Sequence, residues 1–91
     1  MIQKKQESLV SIIVNCFNGE RFLRQALDSI LSQTYQNWEV IFWDNQSTDK
    51  SAEIYKSYNE KRFKYFYSPK HTLVAEARNL AIDKSTGEFI A

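Results

Sequence analysis

The segment from Leu9 to Val14, LVSIIV, is β-branched and almost continuously apolar. A strand with one solvated face alternates apolar with polar side chains, whereas a strand covered on both faces has a continuous apolar run. Helices packed on both sides of a parallel sheet provide such cover. The segment therefore predicts a buried strand, with Leu9–Asn15 at or near the centre of a parallel α/β sheet.

Strand-like and helix-like patterns alternate along the rest of the chain. Apolar residues recur along single helical faces, and polar turn segments separate the elements. After the first strand we predict a helix over Arg21–Ser32, a strand over Trp38–Trp43, and a helix that buries Ile54, Tyr55 and Tyr58. A strand over Phe63–Tyr67 follows. The last two predicted elements are a helix with Val74, Ala77 and Ala81 on one face and a fourth strand that begins in EFIA. The order β-α-β-α-β-α-β calls for right-handed helical crossovers. We therefore predict a mostly parallel open sheet flanked by helices, half of a doubly wound α/β fold, with strand order 3-2-1-4.

The start of the second helix is predicted from its polar residues. Ser47 or Thr48 is the predicted N-cap, because a hydroxyl there accepts a hydrogen bond from an amide of the first turn. Asp49 is expected within the first turn, where the helix dipole favours an acid.

Composition limits the classes of function. With 91 residues the chain is expected to form one small domain. Its net charge of +1 indicates neither a nucleic acid nor an anionic membrane as a partner. Cys16 is the only cysteine, which excludes an internal disulfide and favours a reducing, cytoplasmic setting. No apolar run reaches the roughly 18 residues that span a bilayer, so an anchor at the inner face of a membrane would have to lie in other regions.

Polar and aromatic residues follow the first two predicted strands. Asn15 and Phe17 come after the first strand, and Asp44 and Asn45 end the second. Ligands of open α/β sheets bind outside the carboxyl ends of the strands, so these groups are expected to lie side by side. Phe17 could stack on a flat heterocycle while Asp44 or Asn45 accepts a ring N–H. The alternative is that the Asp and Asn residues only shape turns, because both types bond readily to nearby backbone.

Glycine-rich phosphate loops are absent from the sequence. Neither G-x-G-x-x-G nor G-x-x-x-x-G-K-[ST] occurs, so phosphates would need a metal or basic side chains. Lys70 and His71, in the loop after the third strand, are candidates to approach a phosphate. A lone loop histidine is usually solvated, however, and His71 is not included among the predicted site residues. Cys16 has no partner base and is interpreted as a packing residue.

Two segments, VSIIVNCFNGERFLRQALDSILSQTYQNWEVIFWDNQSTDKS and AEARNLAIDKSTGEFIA, together resemble the N-terminal half of a family-2 glycosyltransferase with a GT-A fold. The resemblance extends from about Leu9 to Ala91. It implies that residues 1–91 are a single, truncated nucleotide-sugar-binding subdomain, with residues 1–8 as a flexible N-terminus. The parent enzyme would transfer a sugar with inversion from a nucleotide-sugar donor, a UDP-sugar, to an acceptor hydroxyl in the biosynthesis of cell-envelope glycan or polysaccharide.

The resemblance also implies roles for single residues. Asn15 and Phe17 match the turn after the first strand, and Asp44 with Asn45 matches the acidic turn; in the family these turns hold the nucleoside. The family pattern has two acids and then glycine, whereas this chain has Asn45 and Gln46 in the second and third places. The second acid usually accepts the uracil N–H, so thymidine or another base stays open.

Arg78 matches the arginine of the family's ARN segment, which implies charge balance near the diphosphate or the metal-binding acids. The alternative interpretation is a surface arginine of a helix.

The remaining chemistry of the family lies beyond the GEFIA segment. An acidic Asp-x-Asp-like motif there binds Mg²⁺ or Mn²⁺, and a later Asp or Glu acts as the general base. The resemblance therefore implies no catalytic residue and no metal ligand within these 91 residues, so the fragment alone would be inactive.

The implied partners are a nucleotide-sugar donor and a glycan or lipid-linked acceptor. A homodimer through an exposed sheet edge is also predicted, because a short fourth strand leaves that edge uncovered. Two alternatives remain. The chain could be a non-catalytic nucleotide-binding or assembly module of the same fold, or another α/β nucleotide-binding domain such as a nucleotidyltransferase, although the missing glycine-rich loop counts against the latter.

Overall fold

The computed structural model describes residues 8–91. The predicted flexible N-terminus therefore lies outside the described residues except for Ser8. The helices and strands, in chain order, are β1 (Val10–Cys16), α1 (Glu20–Ser32), β2 (Trp38–Asp44), α2 (Ser51–Ser57), β3 (Phe63–Tyr67), α3 (Val74–Asp83) and β4 (Phe89–Ile90).

The four strands form one parallel sheet with the order β3-β2-β1-β4. The predicted fold class and strand order are confirmed, as is the place of the first strand between two neighbours. β1 and β2 pair along their whole lengths, from Val10 opposite Trp38 to Cys16 opposite Asp44. Their carboxyl ends therefore finish level with each other, which brings the loops that follow them together.

The most deeply buried strand is β2 and not β1. Every residue of β2 is buried, whereas in β1 only Ser11 and Cys16 are buried. The cause is the short partner on the other side of β1: β4 pairs only with Val10 and Ser11. Ala91 adds one further contact, because the Ile13 amide donates to the Ala91 carbonyl at 2.9 Å. The rest of this edge of β1 has no partner strand within residues 8–91.

Hydrophobic cores lie on both faces of the sheet. On one face α1 and α2 bury Leu27 and Tyr55 against Phe42 of β2. On the other face Ala77 of α3 packs beside Trp43. Because successive side chains of a strand point to opposite faces, the alternation along β2 fixes which helix each residue meets.

The predicted helical faces are confirmed in part. Tyr55, Ala77 and Ala81 are buried, Ile54 and Tyr58 are partly buried, and Val74 is exposed. α3 begins at Val74, above the carboxyl edge of the sheet, so its first side chain lies beyond the strands. In the part of the chain that the structure describes, no helix has the length and apolar character needed to cross a bilayer.

A buried carboxylate holds the amino end of the sheet together. Glu39 accepts hydrogen bonds from the Ser11 hydroxyl at 2.6 Å, the Lys64 ammonium at 2.6 Å and the Thr86 amide at 2.7 Å. These donors come from β1, β3 and the turn before β4. Burial alone would raise the pKa of Glu39, but these bonds outweigh it and lower the pKa to about 2. The charged form of Glu39 therefore stabilises the fold.

The turn before β4 approaches the first strand too closely for a side chain. A Cβ atom on Gly87 would lie 2.6 Å from the Ser11 hydroxyl oxygen and 2.8 Å from the Leu9 carbonyl oxygen. The Gly87 amide instead donates to the Ser11 hydroxyl at 2.8 Å. Glycine is thus required where β4 begins to pair.

Candidate nucleotide-binding site

Three loops meet at the carboxyl edge of the sheet. The first loop is residues 17–19 after β1, the second loop is residues 45–50 after β2, and the third loop is residues 68–73 after β3. Main-chain bonds continue the strands into these loops: the Asn45 amide donates to the Cys16 carbonyl, and the Ser68 amide donates to the Asp44 carbonyl, both at 2.8 Å. The prediction that the first two loops lie side by side is confirmed.

Asn18 joins the first loop to the second. Its backbone is left-handed, with a φ of 52°. Its side-chain oxygen accepts hydrogen bonds from the amides of Thr48 at 2.7 Å and Asp49 at 3.2 Å. The main-chain amide of Asn18 donates to the Ser47 hydroxyl at 2.9 Å. Local side-chain bonds of this kind stabilise a specific loop geometry, so the two loops form one unit.

The predicted cap of the second helix is wrong. α2 begins at Ser51, with Lys50 in the N-cap position, so Ser47 and Thr48 lie in the loop. The physical reason is competition: Ser47 and Thr48 bond to Asn18 of the neighbouring loop instead of to the helix.

Asp49 accepts hydrogen bonds from the first residues of two helices. One carboxylate oxygen accepts from the Glu20 amide at the start of α1, at 3.1 Å, and the other accepts from the Ser51 amide at the start of α2, at 2.9 Å. Burial raises the pKa of Asp49, but the bonds from Ser51 and Glu20 outweigh it and hold the pKa below its usual value. An anion at two helix N-termini is also favoured by the helix dipoles.

Asp44 is fully buried, and both of its carboxylate oxygens have internal partners. One oxygen accepts from the Ser47 amide at 2.8 Å and the other accepts from the Tyr65 hydroxyl at 2.6 Å. Burial, together with this bond and the charge of Asp44, raises the pKa of Tyr65 above its usual value. In this structure Asp44 shapes the turn, and its predicted contact with a base stays a prediction.

Asn45 lies on the other face of the sheet from Asp44 and holds the third loop. Its side-chain nitrogen donates to the Thr72 carbonyl at 2.8 Å, and its side-chain oxygen accepts from the Thr72 amide at 3.0 Å. The residue is only 5% exposed. The side chain of Asn45 therefore fixes Thr72, and a donor of a ligand would have to share its oxygen with the Thr72 amide.

Phe17 is an exposed aromatic residue of the first loop. It is 53% exposed, and its ring contacts the ring of His71 edge-on, with 4.7 Å between the centroids and 64° between the planes. The Nδ1 atom of His71 lies 3.1 Å from the Asn45 carbonyl oxygen. Sequence reasoning did not include His71, because nothing in its own segment shows that the third loop folds back onto the first.

The last two predicted residues lie near these loops without fixed partners. The side-chain oxygen of Asn15 is buried and has no hydrogen-bond partner within residues 8–91. A cavity of about 220 Å³ beside it is also lined by Phe17 and Phe22. Arg78 is exposed on α3, and the described residues offer it no ion pair. Asn15 thus has an unpaired but buried oxygen and Arg78 an exposed side chain, whereas both oxygens of Asp44 have internal donors.

The described residues do not form a metal site. Residues 8–91 contain no group of three or more His, Cys, Asp and Glu side chains arranged to hold a metal ion. The acids at the carboxyl edge, Asp44 and Asp49, already use both oxygens in internal bonds. A divalent ion at this edge would therefore need ligands from other residues.

Open α/β sheets bind ligands outside the carboxyl ends of their strands, which is where this chain has its interlocked loops and the exposed ring of Phe17. The profile of Glycosyl transferase family 2 matches residues 11–91. The chain belongs to this family, and the resemblance seen in its motifs is confirmed.

Relatives of known sequence include glycosyltransferases. An uncharacterized glycosyltransferase of Haemophilus influenzae is 43% identical over 84 residues, which cover 90% of this chain and 34% of that protein. The UDP-Glc:alpha-D-GlcNAc-diphosphoundecaprenol beta-1,3-glucosyltransferase WfgD of Escherichia coli is 35% identical over 83 residues, which cover 91% of this chain and 33% of that protein. The chain thus spans about a third of the length of these curated relatives.

Solved glycosyltransferase structures share the fold. Residues 1–349 of S. aureus TarS, in complex with UDP-GlcNAc, match with a TM-score of 0.84 and 28% identity, over 89% of this chain and 24% of that chain. The mannosyltransferase PcManGT from Pyrobaculum calidifontis, in complex with GDP-Man and Mn²⁺, matches with a TM-score of 0.80 and 25% identity, over 89% of this chain and 25% of that chain. The predicted GT-A type of nucleotide-binding fold is confirmed by these matches.

Proposed function

We propose that this chain is the nucleotide-sugar-binding part of an inverting glycosyltransferase, which transfers a sugar from a UDP-sugar to an acceptor hydroxyl in cell-envelope glycan biosynthesis. The observation that carries the proposal is the exposed ring of Phe17, held between interlocked loops at the carboxyl edge of a family-2 sheet. The UDP-sugars in the names of WfgD and of the TarS complex support uridine as the nucleoside.

In this proposal the nucleoside lies over Phe17 and the diphosphate points toward α3. Stacking of a base on an aromatic ring requires an exposed face, which Phe17 has. The unpaired oxygen of Asn15 is available to a donor of the ribose or base. Arg78, exposed in the middle of α3, is proposed to balance phosphate charge. Asp44 and Asn45 contribute mainly by fixing the turn and the third loop that surround the base.

The sugar transfer itself is assigned to regions outside these residues. Mg²⁺ or Mn²⁺ would neutralise the diphosphate and a general base would deprotonate the acceptor, and PcManGT was solved with Mn²⁺. We therefore propose that residues 8–91 bind the nucleotide without transferring the sugar. A lipid-linked glycan is the proposed acceptor, in line with the name of WfgD, and the reaction is proposed to occur in the cytoplasm at the inner face of the membrane.

A second candidate function is a non-catalytic assembly module of the same fold. It is favoured by the internal bonds of Asp44 and Asn45, which engage the polar groups expected to meet a base. Self-association is proposed to occur at β4, where Phe89 and Ile90 are exposed. Sedimentation at high protein concentration measures it: dimers support the proposed edge contact, and a clean monomer at millimolar concentration contradicts it.

Calorimetric titration of the chain with UDP, UDP-GlcNAc, dTDP and GDP-Man tests the nucleotide-binding proposal. UDP and its sugar are expected to bind more tightly than GDP-Man. Phe17→Ala is expected to weaken UDP binding by at least about fivefold, because stacking on one aromatic ring contributes about 1–3 kcal/mol.

Phe89→Ala is the matched control, since Phe89 is another exposed phenylalanine but pairs near the amino end of the sheet. Its UDP affinity is expected to equal that of the wild type. Equal affinity of wild type and Phe17→Ala, or absence of UDP binding, would favour the assembly module instead.

A further inference from the structure

His71 is held in one orientation by two contacts. Its ring packs edge-on against Phe17 at a centroid distance of 4.7 Å, and its Nδ1 atom lies 3.1 Å from the Asn45 carbonyl oxygen. The Asn45 side chain in turn fixes Thr72, the residue after His71, through two main-chain hydrogen bonds. The imidazole is thus fixed beside the exposed aromatic ring of the site.

The bond to Asn45 determines which nitrogen of His71 carries the proton. A carbonyl oxygen can only accept, so Nδ1 must donate. In the neutral ring the other nitrogen, Nε2, is then an acceptor with a free lone pair. Residues 8–91 provide no hydrogen-bond partner for Nε2 of His71, and the residue is exposed.

The other side-chain acceptors near Phe17 are either engaged or buried. The side-chain oxygen of Asn15 has no partner within residues 8–91, but it is buried. Both oxygens of Asp44 have internal donors, and the side-chain oxygen of Asn45 accepts from the Thr72 amide. A base stacked on Phe17 would therefore find Nε2 of His71 as an accessible acceptor without an internal partner. Bases with a ring N–H flanked by carbonyl groups, such as uracil, present the donor that such an acceptor recognises.

We propose that His71 is a base-reading residue of this chain, whose Nε2 atom accepts the ring N–H of a uracil-type base that stacks on Phe17. The inference rests on the proposed function, because it assigns base selectivity within the same site. In this proposal, uridine is recognised although Asn45 replaces an acid in the second loop. The main-chain carbonyl of Asn45 orients the imidazole of His71, and the imidazole contacts the base.

The test removes either the donor of the ligand or the acceptor of the protein. UDP and N3-methyl-UDP, which lacks the ring N–H, are titrated into wild type, His71→Asn and His71→Gln. The wild type is expected to bind UDP about five- to tenfold more tightly than N3-methyl-UDP, the effect of one hydrogen bond. His71→Asn keeps a donor at the Nδ1 position but has no Nε2 equivalent, so the two ligands are expected to bind it equally. His71→Gln places an amide near the Nε2 position and is expected to recover part of the discrimination.

Leu73→Ala is the control, because Leu73 is an exposed residue of the same loop. It is expected to keep the wild-type ratio of UDP to N3-methyl-UDP affinity. If the wild type binds UDP but does not discriminate against N3-methyl-UDP, or if His71→Asn discriminates as strongly as the wild type, the role of His71 is overturned while the proposed function stands. Absence of UDP binding to the wild type would overturn both.

Discussion

The two ends of the parallel sheet use polar side chains in opposite ways. At the amino end, the carboxylate of Glu39 is buried and bonded to Ser11, Lys64 and Thr86. At the carboxyl end, buried polar groups form hydrogen bonds between the loops. The ring of Phe17 is exposed there, and Arg78 is exposed on α3.

The amino end therefore contributes to stability, whereas the carboxyl end also has exposed side chains that are accessible to a ligand. A buried charge is retained only when its bonds compensate for lost hydration, and Glu39 has that compensation without any group left for a partner. The carboxyl end uses Asn18, Asp49 and Asn45 to fix its loops, while Phe17 remains accessible. We therefore expect mutations at the amino end to change stability, and exposed residues at the carboxyl end to change binding.

The largest expected effect is from Glu39→Ala. The substitution removes the acceptor of four donors on three residues, and the Ser11 hydroxyl and Thr86 amide lose a buried partner. We expect a loss of about 2–4 kcal/mol in the free energy of unfolding, measured by urea denaturation. Glu88→Ala, at an exposed glutamate of the same end, is expected to cost less than about 0.5 kcal/mol. Similar losses in the two variants would contradict the stabilising role of the buried Glu39 carboxylate.

Lowering the pH should reduce the free energy of unfolding by protonating Glu39. Because the folded-state pKa is lowered to about 2, the stabilisation is fully present above the unfolded-state pKa near 4.5 and is lost as pH falls toward 2. The wild type is expected to lose about 2–3 kcal/mol more than Glu39→Gln between pH 5 and pH 2. Denaturation curves of both proteins at several pH values measure the difference, and parallel pH profiles would contradict it.

Asp49→Ala should cost less stability than Glu39→Ala, because it removes a side-chain acceptor from the first turns of α1 and α2. Asp83→Ala is the control, since Asp83 is exposed at the end of α3 and is expected to change stability by less than about 0.5 kcal/mol. Thermal unfolding followed by circular dichroism measures both. If Asp49→Ala is as stable as the control, the interlocked loops do not stabilise the helices.

The smallest expected effect is a gain in stability from Gln46→Gly. Gln46 has a φ of 65°, a left-handed conformation that costs a residue with a Cβ atom about 1 kcal/mol. Glycine removes this cost, but the bond from Gln46 to the Ser68 carbonyl is lost, so we expect a net gain of up to about 0.5 kcal/mol.

Asn18→Gly is the informative comparison for that gain, measured in the same thermal unfolding experiment. Asn18 has a similar φ of 52° but also bonds to the amides of Thr48 and Asp49. It should lose stability despite the same conformational relief. A stabilised Asn18→Gly would contradict the role of these bonds.

The sequence was sufficient for the fold because its signals are local and repeated. Continuous apolar strands and single-faced helices, in strict alternation, allow few topologies, and the predicted strand order agrees with the structure. The burial of β1 was less predictable, because it depends on how far β4 extends.

The site was only partly predictable because it depends on contacts between distant segments. Asp44 ends β2 and Asn45 begins the loop, and the two side chains bond to different partners, Tyr65 and Thr72. No pattern in the sequence indicates that the hydroxyl of Ser47 meets Asn18 instead of capping α2, or that His71 reaches Phe17. These contacts follow from how the three loops pack.

The two edges can be compared directly by titrating the ¹⁵N-labelled chain with UDP and following the amide chemical shifts. If the carboxyl edge binds the nucleotide as proposed, we expect shifts concentrated in the first, second and third loops, including Phe17 and His71. The amides of Ser11, Glu39 and Thr86 are expected to stay unchanged. Shifts centred on the amino end, or no shifts at saturating UDP, would contradict the proposal.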